Sequence, residues 1–357
     1  MHNSWDQYVP EEKQSFREWA SSDPPKKLLI IRFHAIGDVA ITLPACTALR
    51  DRFPESQIDF LTTVESAPIP KSLSIFDNVF STPPIRRRKE RLVQTIVWCR
   101  RLAALNYDLI FDLQRNWMSR CIRVAARPNA WGEFDRYSRI PAGMRVLETF
   151  HNTGFRNLAP SYKMEIHRDL LQRAYNRLRE NGWDAQSRLI VLNPAGLYET
   201  RNWDIQNYVS LAHIWRAYEK VHFVLLGTAR MADKAKQFEK YFHHEAINFV
   251  NTTSLDEAVA LLQFADGMVS EDSGLMHIAW ASGVPTLALF GSTSHYWSQP
   301  LGPHSMFLDS SDLPCGVCLK PVCKFGDVHC LSRYTPEFIF DKIYPLVRAR
   351  KPQKAYA

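Results

Sequence analysis

Short apolar runs recur along the chain, each followed by a longer stretch whose apolar positions fall three or four residues apart. Residues 27–32, 57–61, 108–112 and 130–132 read as strands, and residues 39–53, 91–104 and 116–125 between them carry helical spacing. The second half repeats the pattern. Strands are expected at 189–193, 221–226, 248–250, 265–270 and 286–290, with helices at 206–218, 233–241 and 255–264 and another opening near Ser273. Strands alternating with helices of this length predict parallel βαβ units, hence an α/β protein.

Two segments break the alternation. Residues 136–165, with Pro141, Gly143, Gly154 and Pro160, show no clear period and read as a loop region. Ahead of the first strand, residues 11–20 suggest a short helix with Phe16 and Trp19 on one side, broken by Ser21-Ser22-Asp23-Pro24-Pro25. The polar helix 167–180 is expected to carry the chain into the second half, and a last helix, 336–348, to return and brace the first.

A chain of 357 residues suits two domains of about 150–180 residues better than one. The expected division is an extension at 1–25, a first domain at 26–180, a second at 181–335, and a C-terminal helix and tail at 336–357. Apolar residues at 46% are ample for two cores. No apolar run is long enough to span a bilayer, and the first residues lack the basic-then-apolar order of a secretory leader, so a cytoplasmic location is expected.

The net charge of +7 is unevenly spread. Arg86, Arg87, Arg88, Lys89 and Arg91 are followed by Arg100, Arg101, Arg115, Arg120 and Arg123, all in the first half. Such a run is commonly a solvated face. Nucleic acid is a rival partner, but no helix-turn-helix, zinc-finger or RNA-platform pattern accompanies the arginines. An anionic, phosphorylated glycolipid at a membrane surface would use the same charge.

Cys315, Cys318, Cys323 and Cys330 form a cluster. In a cytosolic chain this suggests a metal site before disulfides. The gaps are shorter than in common zinc ribbons, so a structural loop is expected, with zinc at the four thiolates as the alternative. Cys46, Cys99 and Cys121 fall on helical patterns and read as core thiols.

Two turns carry the candidate chemistry. Glu271-Asp272-Ser273-Gly274 leads from a strand into a helix bearing His277, four residues after Ser273 and so on the same helical face. A helix N-terminus offers free N–H groups and a favourable dipole to phosphate; the plainer alternative is a capped helix with His277 packed beneath it. Near the other end, strand 27–32 leads through Gly37-Asp38 into a helix in the same way. Neither turn is the G-x-G-x-x-G of dinucleotide enzymes, which disfavours a nicotinamide dehydrogenase.

Taken in order, Ile31-Arg32, Gly37-Asp38-Val39, Thr42-Leu43-Pro44, Asp112-Leu113-Gln114, Gly132-Glu133-Phe134-Asp135-Arg136, Arg201-Asn202-Trp203, Asp272-Ser273-Gly274 with His277, and Leu289-Phe290-Gly291-Ser292-Thr293 resemble the ADP-heptose–lipopolysaccharide heptosyltransferases, glycosyltransferase family 9. The resemblance runs from about residue 26 to about residue 345. It implies a GT-B fold, two Rossmann-like parallel-sheet domains facing a central cleft. The implied function is inverting, metal-independent transfer of heptose from ADP-heptose to the lipopolysaccharide inner core. The alternatives are another nucleotide sugar for a different surface glycan, or a non-catalytic polyanion-binding protein on the same scaffold.

The resemblance makes Asp38 the general base. It places Arg201, Asp272, Ser273, Gly274 and His277, and more loosely Asp233, at the donor, and Arg86, Arg87, Arg88, Lys89, Arg120 and Arg136 at the acceptor, with Arg115 a further candidate. No Asp-x-Asp is present to hold a divalent cation on a diphosphate, so no cofactor is expected beyond the ADP-sugar substrate. The expected partners are that donor and a lipid-linked anionic glycan, met at the inner face of the cytoplasmic membrane. Two positions depart from the family: Met118 stands where relatives carry Lys or Arg, and His34 where they commonly carry Ser.

Overall fold

The computed structural model describes residues 15–33, 35–84 and 87–350. The chain forms two compact units. Of the described residues, the first comprises those up to Phe33 together with 45–70 and 75–161; the second comprises 35–44, 71–74 and those from Tyr162 to Arg350.

Six strands build the first unit's sheet: β1 (Phe16–Arg17), β2 (Lys27–Ile31), β3 (Gln57–Thr63), β4 (Asn78–Thr82), β5 (Leu109–Asp112) and β6 (Ala130–Glu133). Five helices alternate with them: α1 (Ile36–Arg52), α2 (Pro68–Lys71), α3 (Arg88–Ala103), α4 (Trp117–Ala126) and α5 (Ala142–Asn152). The spatial order is β1-β6-β5-β2-β3-β4, parallel except for the antiparallel edge strand β1. Two-sided burial explains the continuous apolar run of β2, whose Leu28, Leu29, Ile30 and Ile31 are all inaccessible. Helix α1 belongs to the second unit up to Pro44 and to the first from Ala45. Pro44 has no N–H to bond the Ala40 carbonyl, so the helical ladder is interrupted where the grouping changes.

The second unit contains α6 (Arg168–Glu180), β7 (Arg188–Asn193), α7 (Ile205–Tyr218), β8 (Val221–Leu225), α8 (Ala232–Glu239), β9 (Ala246–Asn248) and α9 (Leu255–Gln263). Then follow β10 (Gly267–Glu271), α10 (Gly274–Ala281), β11 (Thr286–Leu289), α11 (His295–Ser298), β12 (Ser305–Leu308), α12 (His329–Ser332) and α13 (Pro336–Ala349). Its sheet runs β12-β11-β10-β7-β8-β9, all parallel. Strand order reverses between β7 and β10 here, and between β2 and β5 in the first unit. In doubly wound sheets, ligands bind at the carboxyl ends of the strands beside such a reversal.

Four elements differ from the sequence reading. Residues 16–17 pair with Trp131 and Gly132 as an edge strand where a helix was expected; two residues suffice because the neighbouring strand supplies the hydrogen-bond template. Residues 142–152, read as loop, form α5, whose Val146, Leu147 and Phe150 are buried; Gly143 and the flanking prolines had masked its period. The last helix packs within the second unit. Thr335 caps it, and Ile339, Phe340, Ile343 and Val347 are buried in the same core as Trp203 and Trp215. Trp203 Nε1 donates to the Tyr334 carbonyl at 2.9 Å, fixing the chain at the start of this helix. Helix α6 packs on α9, which groups it with the second unit as well.

Candidate active site

At the reversal in the second sheet, β7 ends in Asn193 and β10 in Glu271. Ser273 is the N-cap of α10: its Oγ accepts from Met276 N at 3.3 Å and from Asn193 Nδ2 at 2.9 Å, and lies 3.2 Å from Ser270 Oγ. Such a cap typically contributes ~1 kcal/mol. The hydroxyl expected at the donor is therefore committed to building the turn. What the turn offers a ligand is the first N–H groups of α10, which have no partner inside the helix, and its positive dipole end. Asp272, Ser273, Gly274 and Leu275 are only partly buried, so the turn is open to solvent.

Around the turn stand groups of both charges. Asp272 accepts from Thr293 Oγ1 at 3.0 Å, and its Oδ2 lies 3.6 Å from Arg201 Nη1. The Arg201 guanidinium also lies over the Tyr198 ring, 5.5 Å from its centroid. His277 is buried, and its Nδ1 accepts from Trp280 Nε1 at 3.2 Å, which leaves the proton of the neutral ring on Nε2. That Nε2 is 3.9 Å from Asp272 Oδ1. Burial holds the His277 pKa below the usual imidazole value, partly countered by the carboxylates of Asp272 and Asp38. His277 is thus a neutral donor facing two carboxylates.

Asp38 comes to this place through α1. It stands in the first turn of that helix, and its Oδ2 accepts from Ala35 N at 2.7 Å, one half of a capping box. The two glycine turns interlock within the second unit. A Cβ on Gly37 would lie 2.5 Å from His277 Cδ2, and a Cβ on Gly274 would lie 3.0 Å from Ile36 Cγ2. The close approach of the two helix N-termini requires glycine at Gly37, and at Gly274 it leaves room for a side chain only if Ile36 gives way. Contacts between residues far apart in sequence thereby place Asp38 beside the phosphate-favouring end of α10.

Beneath the turn lies a support that the motifs did not reveal. Glu271 is fully buried and accepts from Trp203 N at 2.6 Å and from Gly196 N, with the Tyr208 side chain beside it. Burial pushes its pKa up to about 7, against the opposing pull of Lys234 and the two backbone N–H groups. Lys234 donates to the Pro194 carbonyl at 2.8 Å and to Asn202 Oδ1. Glu271 and Lys234 together fasten loop 194–203, which carries Arg201. The available signal was a glutamate closing an otherwise buried strand; nothing in the pattern marked Lys234. Its neighbour Asp233 is exposed on α8.

The cysteine segment is tied to the same loop. Thr200 Oγ1 donates to the Lys320 carbonyl at 2.5 Å, Leu319 N donates to the Ser292 carbonyl at 2.9 Å, and Cys330 Sγ lies 3.9 Å from the Thr200 carbonyl. Cys315, Cys318, Cys323 and Cys330 are free thiols, and burial followed by the neighbouring sulfurs pushes the Cys330 pKa up to about 11. Among the described residues no group of three or more His, Cys, Asp or Glu is placed to hold a metal ion.

In the first unit the Asp-Leu-Gln motif does structural work at the other reversal. Gln114 Oε1 accepts from Phe33 N at 2.9 Å, and the Arg32 guanidinium donates to the Leu113 carbonyl, so the exit from β2 is fastened to the exit from β5. Asp112 is fully buried with its pKa pushed up to about 6 by burial. Arg120, expected to face the acceptor, is bidentate on buried Glu133 at 3.0 and 3.2 Å, and Arg123 and Arg115 converge on the same carboxylate. Met118 is a core residue. Arg136 is exposed and donates to the Arg115 carbonyl at 3.4 Å. Arg87, Arg88 and Lys89 are exposed at the start of α3; Arg86 and His34 lie outside the described residues.

Two doubly wound parallel sheets with flanking helices, each with a motif-bearing turn at its reversal, define a GT-B-like protein. The solved glycosyl transferase family 9 protein of Veillonella parvula shares this fold, with a TM-score of 0.77 at 18% identity, covering 91% of this chain and 98% of that one. The Escherichia coli ADP-heptose lipopolysaccharide heptosyltransferase II gives a TM-score of 0.68 at 17% identity, covering 90% of this chain and 98% of its own. Among curated relatives, lipopolysaccharide heptosyltransferase 1 of Pseudomonas aeruginosa is 28% identical over 324 residues, 84% of this chain and 88% of that protein. The model of glycosyltransferase family 9 (heptosyltransferase) matches residues 97–329, and the chain belongs to that family.

Proposed function

We propose that the protein is an inverting glycosyltransferase that moves heptose from ADP-heptose to the inner core of lipopolysaccharide at the cytoplasmic face of the membrane. The observation that carries this reading is the interlock of Gly37 with His277, which sets the Asp38 carboxylate beside the N-terminus of α10. The acceptor hydroxyl attacks the anomeric carbon, its oxygen forms the new glycosidic bond, and the bond from that carbon to the β-phosphate oxygen breaks. Asp38 takes the hydroxyl proton, and ADP leaves with the bonding electrons. A single displacement inverts the anomeric centre and needs no carboxylate nucleophile.

Charge developing on the departing diphosphate is met by the Arg201 guanidinium and the N–H groups of α10, and His277 Nε2 offers one further donor. These fixed groups are the basis for a metal-independent reading. Asp272 orients the site by holding Arg201 and facing His277. Arg87, Arg88, Lys89 and Arg136 serve the phosphates and carboxylates of the acceptor, each exposed contact contributing roughly 0.5–1 kcal/mol. Its relatives are heptosyltransferases of lipopolysaccharide or lipooligosaccharide, which supports the choice of donor and acceptor.

The test is a donor screen with a heptose-free inner-core acceptor, following release of ADP, UDP or GDP from the corresponding sugar nucleotides, with the product's anomeric configuration read by NMR. ADP release from ADP-heptose alone, with inversion, is expected. Turnover of another sugar nucleotide, or retention, would overturn the reading.

A further inference from the structure

We infer that helix α3 is a docking surface for an anionic lipid bilayer. The helix carries two apolar stripes where a surface helix of a globular unit needs one. The first is Thr95, Trp98 and Leu102, buried in the first unit, where α3 lies against α4. The second consists of Leu92, Val93, Ile96 and Val97, which are 55%, 57%, 45% and 47% exposed. Spaced i, i+1, i+4 and i+5, they share one face about one and a half turns long. Four large apolar side chains side by side in water mark a surface that meets something less polar.

The charges around the stripe identify the partner. Arg88, Lys89 and Arg91 precede it, Arg100 and Arg101 follow it, and the single carboxylate of the helix, Glu90, is spent accepting from Arg87 N at 3.0 Å. An apolar strip flanked by cations at both ends suits a helix lying in the interfacial plane of an anionic membrane, with the side chains in the acyl boundary and the cations among the headgroups. The neighbouring helix α4 also exposes Trp117 and Val124, and tryptophan favours that depth. No helix of the described residues is long and apolar enough to cross a membrane, so the contact is peripheral. A second copy of α3 would bring five cations against five, and nucleic acid would leave the apolar stripe unburied. The inference stands on α3 alone. Where the acceptor is lipid-linked, as proposed above, it adds how the enzyme reaches it.

The experiment is co-sedimentation of the intact protein with vesicles of phosphatidylcholine alone or with one part in three phosphatidylglycerol. Wild type should partition onto the anionic vesicles about tenfold or more better than onto the zwitterionic ones, less so at high salt. Leu92→Gln with Ile96→Gln should lower binding to anionic vesicles by about tenfold or more. Arg100→Gln alone should lower it roughly fivefold without affecting zwitterionic vesicles. Unchanged melting temperature and ADP binding in these variants show that the fold is intact. Vesicle binding by the double variant equal to wild type, or no preference of wild type for anionic vesicles, would overturn the inference. So would a wild-type dimer that the double variant dissolves while vesicle binding persists, which would assign the stripe to a second copy. Loss of vesicle binding with heptosyl transfer to a soluble acceptor retained separates this surface from the catalytic reading.

Discussion

A methyl group on Gly37 cannot coexist with His277 as it stands, because the added carbon would lie 2.5 Å from the ring Cδ2. Gly37 lies in the first turn of α1, where alanine would ordinarily be favoured by about 0.5–1 kcal/mol. Gly37→Ala should instead destabilise the protein by about 1–3 kcal/mol, the usual cost of overpacking, and lower turnover. Adding His277→Ala should recover much of that stability but not the activity. Urea unfolding of the two single variants and the double variant reads the coupling directly, and strictly additive effects would mean that the two turns do not touch.

The Glu271 carboxyl has a pKa raised to about 7 from an ordinary 4.5, burial being the main cause. Between those values the native state keeps a proton that the unfolded state has lost. The stability this group contributes is therefore full below the unfolded value and declines as pH rises toward 7, by up to about 1.4 kcal/mol per pH unit. Glu271→Gln cannot titrate, so the stability difference between wild type and variant should shrink as pH rises from 5 to 7.5. The variant should also lose roughly 1–3 kcal/mol overall, because its amide nitrogen faces the N–H of Gly196 or Trp203. Denaturant unfolding at several pH values checks both effects.

Arg201 stands at the phosphate-favouring turn, paired with Asp272 across 3.6 Å. Arg201→Gln removes a charge-assisted contact worth about 1.5–3 kcal/mol. ADP affinity measured by calorimetry should fall roughly tenfold to a hundredfold, with the unfolding midpoint little changed. A normal ADP affinity would place the diphosphate elsewhere.

Much of this arrangement was legible in the sequence, for reasons that can be named. A buried parallel strand such as β2 must be apolar on both faces, and glycine is the residue that lets two helix ends approach. Both signals survive in one dimension. What stayed hidden depends on partners distant in sequence. Phe16 and Arg17 have no strand pattern of their own and become β1 through Gly132 and Trp131. Arg120 reads as a free cation until Glu133 is seen beneath it, and Lys234 reads as an ordinary surface lysine until Pro194 and Asn202 are found around its ammonium group. Helix α13 packs on the core containing Trp203, a choice its own amphipathic pattern could not specify.

The central claim is that Asp38 accepts the acceptor's proton beside a diphosphate held at α10. Its most direct test is single-turnover transfer from ADP-heptose by Asp38→Asn, with ADP binding measured on the same sample. The substitution preserves shape and keeps an oxygen that can accept from Ala35 N. Transfer should slow by ~10²–10⁴-fold with ADP affinity unchanged. Full-rate transfer by this variant at neutral pH would make Asp38 a helix cap and contradict the account.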